Sequence, residues 1–318
     1  MGLQTRITEL LNIYYPIIQG GLAHLAYSDL AAAVSNAGGL GQITAMSLET
    51  PEELRNEIRR VKSMTDKPFG VNFAIGQHGR PFEHMVDIAI EESVPVISVT
   101  GGNPKGVMDR VEGHNIKKLV LVAATRQAEK AEELGADAVM VVGQEGGGHL
   151  GRGDVGTFVL TPEVVDRVSI PVIASGGIVD GRGLMAALSL GAEGIEMGTR
   201  FIATEEAQVH MNYKQAILDA TEDSTVVIKR SIGSPARALR GPWTARILEM
   251  EQEKAGYDSL KAYISGKVNK DYIENGDPNE GFGWAGQSAA RIKDIPVVSE
   301  LIQNIVIEAE GIKEKWNK

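Results

Sequence analysis

The chain has 318 residues and no cysteine, so disulfides, thiolate catalysis, cysteine-held zinc and iron–sulfur clusters are excluded. The 42 acidic residues outnumber the 32 basic ones and leave a formal charge of −10, which argues against nucleic acid as the main partner, because phosphate backbones require a basic footprint. Hydrophobic residues make up 43% and charged residues 23%, the balance of a folded globular chain, and no apolar stretch approaches the roughly 18 residues of a membrane span. The opening MGLQTRITELL has no long apolar run and no cleavage site. Arg6 stands where a myristoylation motif beginning at Gly2 places Ser or Thr. The expectation is therefore a cytoplasmic protein.

Short apolar runs recur along the first two thirds: Pro16–Gln19, Leu40–Thr44, Phe69–Phe73, Val96–Thr100, Leu119–Ala123, Ala138–Val142, Pro171–Ser175 and Gly194–Gly198. They do not alternate apolar with polar, which marks strands covered on both faces of a parallel sheet. Amphipathic stretches lie between them. Ser28–Ala37 stops at Gly38. Pro51–Met64 has Thr50 as cap, proline at its first position and Glu53 in capping-box position. Thr125–Leu134 ends at Gly135, Thr161–Val168 opens with TPE, and Asp180–Leu190 ends at Gly191; Pro81–Ser93 and Pro104–Glu112 fill the remaining gaps. Strand and helix alternating eight times predict a (β/α)8 TIM barrel, although a doubly wound open sheet fits the same strand count.

The rhythm stops after Gly198. Thr204–Ala220, Arg246–Lys254 and Leu260–Ile264 read as helices, Ser224–Pro242 as mixed and locally basic, and Asn275–Gly286 as a loop. Pro296–Glu310 is an amphipathic helix. The organisation expected is a barrel of residues 1–204 and 287–318, with residues 205–286 a mostly helical lid inserted after strand 8. The lid and the last helix offer apolar area for a homodimer.

Barrel enzymes place their chemistry in the loops that follow the strands. Here those loops carry Gln19-Gly20-Gly21, Asn72, the run Gln144–Gly151, Ser175-Gly176-Gly177 and Gly198-Thr199. The loops after the seventh and eighth strands commonly form a phosphate site, and Gly176, Gly177, Gly198 and Thr199 supply amides and a hydroxyl there. The plainer reading is two tight turns with no ligand. Gly146, Gly148 and Gly151 formally satisfy G-x-G-x-x-G. A dinucleotide fingerprint needs a helix to open at once, and here RGDVG follows instead. Backbone lying flat against a planar ligand is the better account of this run.

Of His24, His78, His84, His114, His149 and His210, only His149 follows a buried strand inside a glycine loop. Imidazole titrates near neutrality and can act as base, acid or donor. A histidine bonding a carbonyl is the structural alternative. His24 could line the same mouth or cap a loop. Glu145 reads as a loop hydrogen-bond partner. The Lys229, Arg230, Arg237 and Arg240 cluster reads as a solvated face, with a charged cosubstrate as the other use. No metal-ligand spacing is present, and no metal is expected.

The segments PIIQGGLA, NAGGLGQI, DKPFGVNF, QEGGGHLG and PVIASGGIVDGRGLMAALSLGAEGIEMGTRF resemble the nitronate monooxygenase family, formerly called 2-nitropropane dioxygenases. Those proteins are FMN-dependent barrels, and the group also holds FMN-dependent enoyl-ACP reductases and NAD(P)H:quinone reductases. The resemblance implies that Gln19, Gly20 and Gly21 contact the flavin and that Asn72 meets its isoalloxazine edge. Gly147 and Gly148 would lie beside it. Gly176, Gly177, Met197, Gly198 and Thr199 would grip the phosphate, with Ser175 and Glu196 in the same motifs. His149 matches the active-site histidine. The function it implies is oxidation of alkyl nitronates such as propionate 3-nitronate, with O2, to carbonyl compounds and nitrite. NAD(P)H-driven reduction of a quinone or an enoyl-ACP is the alternative. The chain departs from the best-defined monooxygenase pattern at Val142, where that class often has glutamine. Its RSIGSPAR and GFGWAGQSA segments look closer to the quinone-reductase-like branch, and Ile43–Met46 replaces the triple glycine of the enoyl reductases.

Overall fold

The computed structural model describes residues 3–76 and 80–316; Gly2 and His78 lie outside them. The strands are β1 (Ile17–Gln19), β2 (Gly41–Thr44), β3 (Phe69–Ala74), β4 (Val96–Thr100), β5 (Lys117–Val122), β6 (Ala138–Val142), β7 (Gly148–His149), β8 (Val172–Ser175), β9 (Gly194–Met197), β10 (Thr225–Ile228) and β11 (Ala236–Leu239). The helices are α1 (Arg6–Leu11), α2 (Ser28–Asn36), α3 (Pro51–Met64), α4 (Glu83–Glu91), α5 (Lys105–Val111), α6 (Thr125–Glu133), α7 (Thr157–Val165), α8 (Gly181–Ser189), α9 (Thr199–Ile202), α10 (Met211–Leu218), α11 (Pro242–Gln252), α12 (Tyr257–Leu260), α13 (Gly266–Asn275) and α14 (Val298–Trp316).

Eight parallel strands form one sheet in the order β1-β9-β8-β6-β5-β4-β3-β2. The two ends meet: Ile18 bridges Leu40, the Gln19 amide donates to the Leu40 carbonyl at 2.9 Å, and the Leu40 amide donates to Ile17 at 2.9 Å. The sheet therefore curls into a nearly closed barrel, and the open doubly wound alternative falls. Each apolar run became a strand because both faces are covered. Ala138–Val142 is buried at every position, which leaves no face for the alternation of a one-sided strand.

Side-chain caps set the starts of some helices, whereas α2, α4, α5, α6 and α7 begin without one from their own N-cap residue. Thr50 accepts from the Glu53 amide at 3.2 Å at the start of α3. The Glu53 carboxylate, however, reaches back to the Glu49 amide at 2.7 Å and not to that of Thr50. The TPE start expected at Thr161 is corrected: α7 begins at Thr157 and carries Pro162 inside it. The reason lies outside the local pattern. The Glu145 carboxylate accepts from the Thr157 amide at 2.8 Å and its hydroxyl at 3.0 Å, which satisfies the helix end four residues upstream.

Helix α14 returns to the barrel wall. Its buried residues, Val298, Leu301, Ile302, Ile305, Val306 and Ala309, recur at helical spacing and form one stripe. It packs so closely on α8 that a Cβ at Gly181 would stand 2.5 Å from the Ile305 carbonyl oxygen. Between β9 and α14, residues of α10, α11, α12 and α13 are joined by a three-stranded antiparallel sheet, β10-β11-β7. The mostly helical expectation for residues 205–286 omits β10 and β11 of this sheet. A separate apolar cluster, including Val226, Ile228, Ile247, Leu260 and Phe282, gives the region its own core. Tyr213 and Ile217 of α10 instead join the barrel's cluster.

Candidate active site

The barrel interior carries a polar layer at its C-terminal end. Gln19 and Gln42 are fully buried and face each other. The Gln42 amide donates to the Gln19 side-chain oxygen at 2.9 Å, and the Gln42 side chain donates to the Gln19 carbonyl at 2.9 Å. Ser98 donates to Gln42 at 2.6 Å. Asn72 Nδ2 then donates to Ser98 Oγ and Thr100 Oγ1, both at 2.9 Å. Every member has a partner, as buried polar groups require. Glu196, on the inward face of β9, is 8% exposed. Burial raises its carboxyl pKa, against the opposing effect of the Ser175 hydroxyl.

The first glycine pair is shaped by this layer. A Cβ at Gly21 would stand 2.3 Å from Asn72 Oδ1, and one at Gly20 would stand 2.6 Å from Glu196 Oε1. Gln19-Gly20-Gly21, Asn72 and Glu196, on separate loops and strands, thus converge at one end of the barrel. Met197 ends β9, and its carbonyl takes the Gly20 amide at 2.9 Å.

The turns after β8 and β9 form the second wall. Gly176 and Gly177 hold φ of +89° and +81°, the left-handed region that L side chains avoid. Among the described residues, the amides of Gly176, Gly177 and Gly198 have no protein acceptor. Asp180 caps α8 by accepting from the Gly183 amide at 3.0 Å. Thr199 Oγ1 accepts from the Gly286 amide at 2.9 Å and keeps its own proton for another partner. Unpaired amides in an open turn are what an anion with several oxygens would fill.

The glycine run after β6 has a double origin. A Cβ at Gly147 would meet the Gly286 amide nitrogen at 2.6 Å, so that glycine answers to the packing of a late loop. Gly148 holds φ +72° with nothing within 4 Å of its missing Cβ, so there the backbone borders open space. Gly148 and His149 form β7, paired in register with Arg237 and Ala236 of β11. The histidine expected at the barrel mouth is therefore stitched to β11.

His149 Nε2 lies 2.7 Å from Lys229 Nζ. The Trp284 ring centroid lies 5.7 Å from that of His149 and 5.8 Å from Lys229 Nζ. Burial, then the Lys229 charge, lowers the His149 pKa to about 4. The His149 residue is exposed at the surface, which softens the first cause, but both causes act in the same direction and the imidazole is neutral at pH 7. Lys229 is 7% exposed. Burial lowers its pKa to about 8, with Glu251 acting in opposition. The solvated face expected for the basic cluster is corrected at two positions: Lys229 and Arg237 are buried. Arg237 sits inside β11 and donates to the Gln144 carbonyl at 3.0 Å. No local pattern marks Lys229, because its neighbours, His149 and Trp284, come from distant parts of the chain.

His24 (φ +65°) donates its amide to Ser47 Oγ at 3.0 Å, and His210 caps α10 by accepting from the Asn212 amide. Among the described residues no group of three or more histidines, aspartates and glutamates is arranged to hold a metal ion. No helix of those residues is long and apolar enough to cross a membrane.

Fold and site together define a (β/α)8-barrel enzyme with a glycine-lined mouth. The nitronate monooxygenase family model matches residues 4–308, and the chain belongs to that family of oxidoreductases. It is 32% identical to a probable nitronate monooxygenase of Staphylococcus saprophyticus, over 99% of this chain and 100% of the relative. It is 35% identical to the (3aS,4S,5R,7aS)-5-hydroxy-7a-methyl-1-oxo-octahydro-1H-indene-4-carboxyl-CoA dehydrogenase of Mycobacterium tuberculosis, over 97% of each chain. The structure of FabK from Thermotoga maritima superposes with a TM-score of 0.92 at 42% identity, covering 99% of this chain and 98% of that one.

Proposed function

We propose that the protein is an FMN-dependent nitronate monooxygenase, which oxidises alkyl nitronates with O2 to carbonyl compounds and nitrite. The observation that carries this reading is a neutral imidazole, His149, against a buried ammonium, Lys229, at the glycine-lined mouth. A site of that charge suits an anionic substrate.

The residues fit FMN. The acceptor-free amides of Gly176, Gly177 and Gly198, with the Thr199 hydroxyl, would hold its monophosphate. Met197, at the end of β9, would belong to the same phosphate grip. Gln19, Gly20, Gly21, Asn72, Ser175 and Glu196 would border its ring from the barrel side, and Gly147 and Gly148 from the β6 loop. When bound, FMN supplies an electron acceptor next to the substrate. His149 holds the nitronate oxygens, and residues 205–286, the lid, exclude water from the mouth. A cytoplasmic location is part of this reading.

The test is anaerobic mixing of the flavin-loaded protein with propionate 3-nitronate, which should bleach the flavin absorbance. A second reading is NAD(P)H-driven reduction of a quinone or an enoyl thioester; the relative named as a carboxyl-CoA dehydrogenase supports a thioester as the substrate class. It would replace the first if NADH or NADPH bleached the flavin and the nitronate did not.

A further inference from the structure

The Lys229–His149 contact has a direction. An ammonium carries donors and no acceptor. Facing it at 2.7 Å, Nε2 must be the accepting nitrogen. A neutral imidazole has one N–H, so the proton of His149 sits on Nδ1. The pKa values near 4 for His149 and near 8 for Lys229 are consistent with a neutral ring and a charged amine at pH 7.

The structure holds Lys229 in this place at a cost. It follows β10 at φ +67°, a conformation costing a non-glycine residue about 1–2 kcal/mol. Its amide donates to Glu251 at 2.9 Å, and its carbonyl closes the turn from Ser234. Strain of this kind tends to gather where a side chain must be aimed. The ammonium itself has no carboxylate partner among the described residues. The surrounding charges are already engaged: Arg230 with Asp154, Arg237 with the Gln144 carbonyl, Glu145 with Thr157, and Glu251 with the amides of Lys229 and Ser231. Trp284 packs against both members of the pair.

We propose that Lys229 is a positioning residue that fixes His149 as an Nδ1–H donor backed by a positive charge, so that the site takes substrates that arrive as oxyanions and does not itself deprotonate neutral ones. Nε2, the nitrogen that would act as base, is occupied by the ammonium. This inference rests on the reaction proposed above: with Nε2 engaged, Lys229 keeps the His149 ring from acting as a base toward the parent nitroalkane. His149 offers its Nδ1 proton to a nitronate oxygen, and the Lys229 charge lies one ring behind it.

The experiment has two arms on the flavin-loaded protein. In the first, 15N NMR of the histidine side chains, with His149 assigned by loss of its signals in His149→Gln, reads the tautomer directly. The wild-type protein should show Nδ1 protonated and Nε2 bare at pH 7. Lys229→Met should move the proton toward Nε2 and raise the His149 pKa; Lys229→Arg should keep the wild-type pattern. A wild-type ring protonated at Nε2 would overturn the proposal without any Lys229 substitution, so poor folding of Lys229→Met cannot shelter it. In the second arm, anaerobic flavin bleaching is followed with ethyl nitronate and with nitroethane. Ethyl nitronate should bleach at least about 100-fold faster at equal concentration, and Lys229→Met should weaken its apparent binding about 30-fold while Lys229→Arg recovers most of it, the scale of one charge-assisted hydrogen bond. Equal rates for the two substrates would overturn the proposal. If neither substrate bleaches the flavin while the Nδ1 tautomer is found, nitronate oxidation fails and the tautomer assignment stands.

Discussion

Glu196 shows how one side chain can tie stability to pH. It is buried on the inner face of β9, and burial raises its carboxyl pKa. A carboxyl whose folded pKa lies above its unfolded value binds protons more readily in the folded state. Its stabilising contribution is therefore complete below the unfolded value, near pH 4, and is lost as pH rises through the folded value. Glu196→Gln keeps the shape and removes the ionisation. In flavin-free protein the variant should match wild type in Tm near pH 4 and exceed it at pH 8. An equal difference at both pH values would show that Glu196 does not change its proton affinity on folding. The same side chain explains Gly20, where any Cβ would meet the Glu196 carboxyl. A residue drawn from a glycine motif and one drawn from a strand motif thus describe a single contact.

Among the elements, α13 rests on a single backbone turn. Ser265 caps its start, and Gly276 ends it at φ +66° with its amide on the Tyr272 carbonyl at 2.9 Å. A Cβ at Gly276 would stand 2.2 Å from His210 Nδ1, and His210 itself caps α10. Gly276→Ala should therefore disturb two helix ends at once and cost about 2 kcal/mol or more, from left-handed strain plus the clash. Chemical denaturation checks this; an unchanged midpoint would refute it. The helix also marks where sequence reading stops short. Its signals are present: a Ser cap, a Gly terminator, and Val268, Tyr272 and Ile273 on one face, yet the segment's low apolar content hides it between loops. The barrel strands are legible because burial on both faces leaves runs such as AVMVV. The strands β10 and β11 are not, since β11 buries Arg237, which reads as surface charge, and the segment holding both is locally basic. The glycine turns and His149 could be found from their places after strands. Lys229 could not, because the residues that pack against it, His149 and Trp284, are far away in sequence.

At the scale of the whole molecule, residues 226–282 contribute an apolar core separate from that of the barrel, and β7 ties the β6 loop to β11. Any ligand that engages the turns after β8 and β9 together with the β6 loop bridges both cores, and it stabilises the folded state by mass action. At a hundredfold excess over its Kd, such a ligand contributes about 2.7 kcal/mol, which for a chain of this size corresponds to a Tm rise of about 5 °C. FMN added to flavin-free protein should therefore raise Tm progressively, with no plateau at stoichiometry. Riboflavin, which offers the same ring without the monophosphate, isolates the role of the acceptor-free amides at Gly176, Gly177 and Gly198. It should need a far higher concentration for the same shift. Gly177→Ala, which places a side chain at φ +81°, should move the FMN curve toward that of riboflavin and leave the riboflavin curve nearly where it was. If FMN and riboflavin shift Tm equally, the turns after β8 and β9 do not grip a phosphate, and if neither shifts it, the mouth is not a flavin site.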